Sequence, residues 1–367
     1  MKSILKKLII SSLVVVFSFI FICVHFKDFG RHFLSASFSN YYHGDLYGFS
    51  KLDNFKENIS LTPIKPETNS LGDAKLITMG DSFFTANYDS PIFPDLLEEK
   101  SKESLYNLNR QVFQTYNDNP LQYFEETNYI KGKEKILILE SVERYVIERS
   151  VRYTEDFTNV KEKIVPNDTN IPINKEDPLN IKLAKFLNPV REFLPQSNLE
   201  YFAYNSVFTE PFYKLGKTFR FSLYDELDSR IGTYSNNPKN LYYYEETNFA
   251  KKQKDDALIN EVANNINYLK NQLKEKYNID LIFLIIPNKY SLYCENAMYP
   301  MQYDNFIPRL TKALNEKGVK APDIYSLYKE ELKKNPSAKL YYSSDTHYAP
   351  LAKDIAVNAT LRELIKN

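Results

Sequence analysis

Histidine is scarce in this sequence and unevenly placed. Of four in 367 residues, His25, His32 and His43 fall near the N-terminus, which leaves His347 as the one imidazole of the remaining chain. No histidine and cysteine grouping has zinc-ligand spacing, so neither a structural nor a catalytic zinc is expected. The two cysteines, Cys23 and Cys294, lie far apart, the first inside an apolar run, which argues against an intramolecular disulfide. The residues before Cys23 are not the small ones that precede a lipidated cysteine. Net charge is also missing. Lys+Arg and Asp+Glu stand at 47 each, so no basic field exists to hold nucleic acid, and nucleic acid is not expected as a partner. Nor is there a phosphate loop: in "LGKTF" (215–219) the glycine that the motif needs five residues before Gly216 is Pro211, and no strand precedes it. Tryptophan is absent; 29 tyrosines and 25 phenylalanines supply the aromatic surface, for core packing or for stacking on sugars. Carboxylate pairs such as Glu245-Glu246 and Asp225-Glu226 read as charged helix faces rather than as glycosidase acids.

The N-terminus has what the rest lacks, a long apolar run. Lys2, Lys6 and Lys7 precede "LIISSLVVVFSFIFICVHF" (Leu8 to Phe26), a membrane-targeting pattern. A cleaved signal peptide and a retained anchor both fit. The small-x-small site Ser35-Ala36-Ser37 lies past Lys27, Asp28 and Arg31, beyond the apolar run, which favours an anchor over residues 1–27 with its lysines cytoplasmic. Either way the body is extracytoplasmic. Residues 28–72, with Gly44, Gly48, Pro63 and Pro66, read as a stalk.

From residue 73 onward, strands and helices alternate. Ala74 to Gly80 is a strand, followed by a helix near Ile92 to Ser104, a second strand over Ser104 to Asn109, and a helix at "NPLQYFEETNYI". Glu134 to Glu140 is a third strand, expected to run straight into a helix at "SVERYVIERSVRY". An amphipathic helix, Asp255 to Tyr277, leads into the apolar strand Ile279 to Pro287; a last strand is expected near "APDIYSLY" (321–328), and "APLAKDIAVNATLRELI" closes the chain as a helix. This order predicts an α/β sandwich with a mostly parallel sheet. The stretch at about 153–247 breaks the rhythm and reads as an insertion, for substrate contact or as a packed cap.

Ser82 falls just past the C-terminal end of the first strand, where α/β folds present reactive groups. Gly80 permits a tight turn, and the following helix can offer backbone N–H groups to an oxyanion. A serine hydroxyl needs a base to become a nucleophile. His347 is the candidate base, and Asp345, two residues earlier, can fix its tautomer. A turn with a helix N-cap explains either motif alone; the two together favour a triad.

Gly80-Asp81-Ser82 and Asp345-Thr346-His347-Tyr348 resemble the first and last blocks of the SGNH (GDSL-type) hydrolase superfamily. The Asp-Thr-His-aromatic form is similar to an extracytoplasmic branch that includes alginate and peptidoglycan O-acetyltransferases. The resemblance covers roughly 74–367, least over the insertion. It implies a three-layer α/β/α, flavodoxin-like SGNH domain over 73–367 with Ser82, His347 and Asp345 catalytic and no metal or cofactor. It also implies a membrane-bound O-acyltransferase as acyl-donor partner, a polysaccharide as acceptor, and attachment to the membrane through the N-terminal helix. The chain departs from the hydrolase pattern in its oxyanion hole. No glycine follows the second strand, where "YNLNRQ" stands, and no Gly-x-Asn follows the third, where "LESVERY" stands. Asn107, Asn109, Arg110 and Arg144 are therefore the donor candidates, with Glu140 and Arg144 alternatively an i,i+4 pair on a helix. Asn288 and Lys289, after the fourth strand, are candidates on the substrate side. The expected activity is O-acyl transfer, in the first instance of acetyl, through an acyl-Ser82 intermediate. The same triad using water would make an esterase, and a scaffold without activity would serve envelope assembly or binding.

Overall fold

The computed structural model describes residues 2–25, 41–108, 119–154, 206 and 209–365. The chain divides into two compact units, one of residues 1–40 with 162–226, the other of residues 41–161 with 227–367. The first unit contributes two described helices. Helix α1 (Lys2–His25) contains an 18-residue window, Lys6–Cys23, of mean hydropathy 2.2, long and apolar enough to cross a membrane.

The second unit opens with a short pairing, β1 (Tyr41–Tyr42), helix α2 (Asp45–Ser50) and β2 (Ile59–Ser60), in which β1 and β2 run antiparallel. Residues from Tyr41 onward, expected to continue a stalk, thus fold with this unit. Tyr42 stacks on Tyr88 at 5.0 Å, an aromatic contact that sequence periodicity does not reveal.

Next come β3 (Leu76–Met79), α3 (Ser82–Thr85), α4 (Phe93–Ser101), β4 (Leu105–Asn107), α5 (Pro120–Glu126), β5 (Lys135–Val142) and α6 (Val146–Arg152). In the first unit follows α7 (Glu210–Tyr224). The second unit resumes with the hairpin β6 (Ile231–Asn236) and β7 (Lys239–Tyr243), helices α8 (Tyr244–Lys251) and α9 (Asp256–Tyr277), β8 (Ile279–Ile286), α10 (Lys289–Tyr293), α11 (Phe306–Glu316), α12 (Ile324–Lys334) and α13 (Pro350–Ile365). The hairpin and α8 lie within the stretch expected as an insertion; residues 155–205 of that stretch are outside the described residues.

The central sheet has the order β4-β3-β5-β8, all parallel, as the alternation of strands and helices predicts. The chain moves from β3 outward to β4, then returns to the other side of β3 for β5. The C-terminal ends of β3 and β5 therefore flank a topological switch point, where parallel sheets open a crevice. Every residue of β3 and β5 is buried, so both sheet faces are covered. Helices α4, α12 and α13 pack together, as do α5, α6, α9 and α11, and α11 also meets α12. Local chemistry sets the helix limits. Asp255 caps α9 by accepting from Leu258 N at 2.8 Å, and Asn278 closes it in the left-handed conformation.

Two expected elements differ. The last strand near "APDIYSLY" is helix α12, because the Asp323 carboxylate accepts from Ser326 N at 3.0 Å and caps a helix there. What remains of an edge strand is one parallel bridge, Ile282 with Lys320. The helix expected from Ser141 starts later. Ser141 and Val142 stay paired with Ile285 and Ile286 of β8, a 3-10 turn spans Glu143–Tyr145, and α6 begins at Val146.

Leu137, fully buried at the centre of β5, is paired with Ile77 on one side and Leu281 on the other. Leu137→Ala is expected to lower stability by about 2–5 kcal/mol through lost burial and a residual cavity. The denaturant midpoint of the second unit's unfolding transition checks this.

Candidate active site

The turn after β3 presents Ser82. Gly80 passes so close to β5 that a Cβ there would lie 2.5 Å from Glu140 Oε2 and 2.8 Å from Glu140 Cβ, so no larger residue fits without displacement. Asp81 caps α3 by accepting from Phe83 N at 3.1 Å. Its other oxygen accepts from Val142 N at 3.1 Å and from Arg149 Nη1 at 3.0 Å, which ties the turn to the end of β5 and to α6. Burial would raise the Asp81 pKa, but Arg149 and the two backbone donors hold it below the usual carboxylate range. Ser82 itself stays partly exposed.

His347 reaches Ser82 from the other end of the unit. Its Nε2 lies 2.8 Å from Ser82 Oγ, and its Nδ1 lies 2.6 Å from Asp345 Oδ1. Asp345 is completely buried, and His347 N donates to the same carboxylate at 2.8 Å. An ionised Asp345 can only accept, so the proton sits on Nδ1 and Nε2 is left to accept from the serine hydroxyl. Burial pulls the His347 pKa down, but the Asp345 carboxylate outweighs it, and the net direction is upward from 6.5. Burial also pushes Asp345 up, but His347 and the backbone donors win and hold it low. Phe83 and Tyr88 pack on the imidazole with ring centroids 5.0 and 5.4 Å away.

The loop bearing Asp345 and His347 is gripped by several elements. Lys289, fully buried at the start of α10, donates from Nζ to the carbonyls of Tyr342, Ser343 and Asp345 at 3.0, 3.3 and 2.8 Å. Ser344 donates through N and Oγ to Glu57, at 3.2 and 3.3 Å. Asp45 N donates to Asp345 Oδ2 at 2.9 Å, and the Asp45 side chain accepts from Thr346 N at 2.9 Å and Thr346 Oγ1 at 2.6 Å. Gly44 makes this approach feasible: its φ is +94°, and a Cβ there would fall 2.1 Å from the Ser344 carbonyl oxygen. Burial and the neighbouring Asp345 charge push the Asp45 pKa up to about 6. Asp45, Asp345 and His347 bring oxygen and nitrogen ligand atoms within 4.8 Å of one another, yet those atoms are committed to the hydrogen bonds just given.

The structure thus brings Ser82, His347 and Asp345 together and separates the other candidates. His43, set aside with His25 and His32 as near the N-terminus, lies in the second unit, with Nδ1 2.7 Å from the Glu57 carbonyl. Asn107 is buried at the end of β4, its side-chain oxygen accepting from Thr78 Oγ1 at 3.3 Å; Asn109 and Arg110 lie outside the described residues. Lys289 and Asn288 do not face a substrate, since both are fully buried and Lys289 supports the Asp345 loop from behind. Arg144 and Glu140 are not a helix pair, because Glu140 belongs to β5. Arg144 instead donates to Asn288 Oδ1 at 3.2 Å, sits 3.6 Å from both Glu245 and Glu246, and stacks over Tyr145 and Tyr243. Glu246 is no solvated helix face: it is fully buried and accepts from Tyr290 N at 3.1 Å.

Asp45, Glu57 and Arg149 escaped the sequence reading. The first two sit in a segment with neither strand nor helix periodicity, and Gly44-Asp45 alone reads as a turn. Arg149 falls on a short helix whose buried side only the tertiary fold defines.

Residues 237–366 match a family model described as the SGNH hydrolase-like domain of the acetyltransferase AlgX, which supports the SGNH-like, acetyltransferase-branch resemblance and the α/β fold that goes with it. The match spans β7 to α13, including Asp345 and His347, and stops short of Ser82. No curated protein and no solved structure matches the chain.

Glu140 gives the site a measurable signature. It is fully buried, Oε2 accepts from Asp81 N at 2.7 Å, and burial together with the Asp81 charge pushes its pKa well above 4.5. A folded-state pKa above the unfolded one means that the native state keeps a proton that the unfolded chain releases, and stability falls as pH rises between the two values. Glu140→Gln carries no such proton and fits the same space. Its thermal midpoint is expected to match the wild type near pH 4 and to exceed it progressively toward pH 8, and thermal melts across that range check the sign.

Proposed function

We propose that this chain is a membrane-anchored, extracytoplasmic O-acyltransferase that passes an acyl group, in the first instance acetyl, to a cell-envelope polysaccharide through an acyl-Ser82 intermediate. The observation that carries the proposal is the continuous hydrogen-bond chain from Ser82 Oγ through His347 to buried Asp345, with its histidine half inside the span that matches an acetyltransferase domain.

In the first half-reaction Ser82 Oγ attacks the donor's acyl carbonyl while its proton passes to His347 Nε2. The imidazolium that forms is stabilised by Asp345, which remains ionised. Collapse of the tetrahedral adduct breaks the acyl–donor bond, and His347 returns the proton to the leaving group. In the second half a sugar hydroxyl attacks acyl-Ser82, gives its proton to Nε2, and the serine recovers it as the ester leaves. Ser82 N–H, in the first turn of α3, is a backbone donor available to the oxyanion. A membrane-bound O-acyltransferase is the donor partner this scheme calls for, and α1, with Lys2, Lys6 and Lys7 at its head, suits an anchor beside it.

Ser82→Ala and His347→Ala are each expected to lower acyl transfer from an activated ester to an oligosaccharide by about a thousandfold or more. Labelling by a serine-directed covalent inhibitor should vanish in Ser82→Ala and drop sharply in His347→Ala; an unreactive Ser82 would exclude the enzyme, and hydrolysis without transfer would leave an esterase. Because His347 must be neutral to act as base and its pKa is raised, activity is expected to fall as pH drops through a value above 6.5. Asp345→Asn should move this acid limb to lower pH, which a rate profile from pH 5 to 9 measures.

A further inference from the structure

Helix α7 of the first unit has fifteen residues and not one of them is buried. Phe212, Leu215, Phe219 and Leu223 follow one another at spacings of three, four and four, which aligns them in a single stripe. They are 76, 68, 59 and 58 % exposed. A fifteen-residue helix is marginal alone in water, and an aromatic and aliphatic stripe this open calls for an apolar partner. The ends are well defined: Pro211 occupies the first turn and Asp225 terminates the helix in the left-handed conformation.

The charge on α7 identifies the partner. Lys214, Lys217 and Arg220 lie off the apolar stripe with Phe221 among them, Arg220 also pairs with Glu226 at 3.2 Å just past the helix, and within the helix the sole acid is Glu210 in its first turn, where the helix dipole favours it. Large apolar residues on one face with lysine and arginine on the other are what a helix needs to lie in the interface of a bilayer, its cations drawn to anionic headgroups. The same chain carries, in α1, a stretch long and apolar enough to cross a bilayer. We propose that α7 is a membrane-surface helix. Phe212, Leu215, Phe219 and Leu223 enter the acyl boundary of an anionic lipid surface, and Lys214, Lys217 and Arg220 reach the phosphates. The proposal does not rest on the chemistry of Ser82.

The absence of tryptophan makes a direct test available. The full chain is reconstituted in vesicles of phosphatidylcholine and phosphatidylglycerol, with a single tryptophan placed in turn by Phe212→Trp, Leu215→Trp, Phe219→Trp, Leu223→Trp, Tyr213→Trp or Lys217→Trp, and brominated lipid is the quencher. Emission at 212, 215, 219 and 223 is expected to be roughly halved or more, that at 213 and 217 much less, so that quenching follows the helical period. Changing Lys214, Lys217 and Arg220 together to glutamate should reduce quenching at Phe219→Trp. Tryptophans at the stripe positions that ignore brominated lipid but yield to acrylamide would overturn the proposal by leaving the stripe in water. Stripe tryptophans shielded from both quenchers would overturn it in favour of a protein partner. Tests of Ser82 acylation read a different atom and leave this result unaffected.

Discussion

Keeping the Asp345 carboxylate ionised while it is completely buried in the protein is the constraint around which the candidate site is organised. A buried charge is costly unless donors replace its hydration, and Asp345 has His347 N, His347 Nδ1 and Asp45 N, with the Tyr42 hydroxyl beside them. Two of them come from the histidine that the carboxylate is to orient, so the loop from 345 to 347 closes on itself and leaves Nε2 a single direction. The rest of the grip follows from this. Lys289 fills the back of the loop with three bonds to carbonyl oxygens, and Glu57 and Asp45 take the hydroxyls of Ser344 and Thr346. Hydroxyl-rich sequence around the histidine is thus a set of tethers.

The serine half solves a related problem differently. Asp81 and Glu140 meet where β3 and β5 end, with Arg149 beside Asp81. Arg149 lies against Asp81 and draws its pKa down, while burial and the Asp81 charge push that of Glu140 up. The turn that presents Ser82 is pinned to β5 by Gly80 and Asp81, which leaves Ser82 itself partly open to solvent while its neighbours are closed in. Rigid support beneath an accessible hydroxyl is what acyl transfer asks of a nucleophile.

Much of this was legible in advance, for reasons that differ by residue. The parallel strands announce themselves as short apolar runs, because residues buried on both faces leave no polar alternation. Ser82 is readable because a serine at the end of such a strand has a defined location, and His347 because elimination left one imbalance in the chain's histidines. What failed to appear were interactions that tertiary contact alone creates. Asp45 lies 300 residues from its partners, in a segment without periodicity. Asn288 and Lys289 carry polar side chains that a sequence alone assigns to a sheet edge open to substrate, whereas the fold buries both, with the Asn288 side chain accepting from Arg144 and Lys289 donating to backbone carbonyls. The "APDIYSLY" segment misled because a capping aspartate outweighed its β-branched and aromatic content.

The separation between the two halves of the site also has a consequence in time. Ser82 and His347 stand 265 residues apart, and Asp45 and Thr346 stand 301 apart. Contacts of such high order are among the last to form, since each closes a long loop that earlier structure must shorten. As the chain is made from its N-terminus, Ser82 and its strand emerge long before His347, the histidine that lies against the serine in the folded unit. Ser82 and His347 therefore meet only when the final loop docks onto α2 and α10.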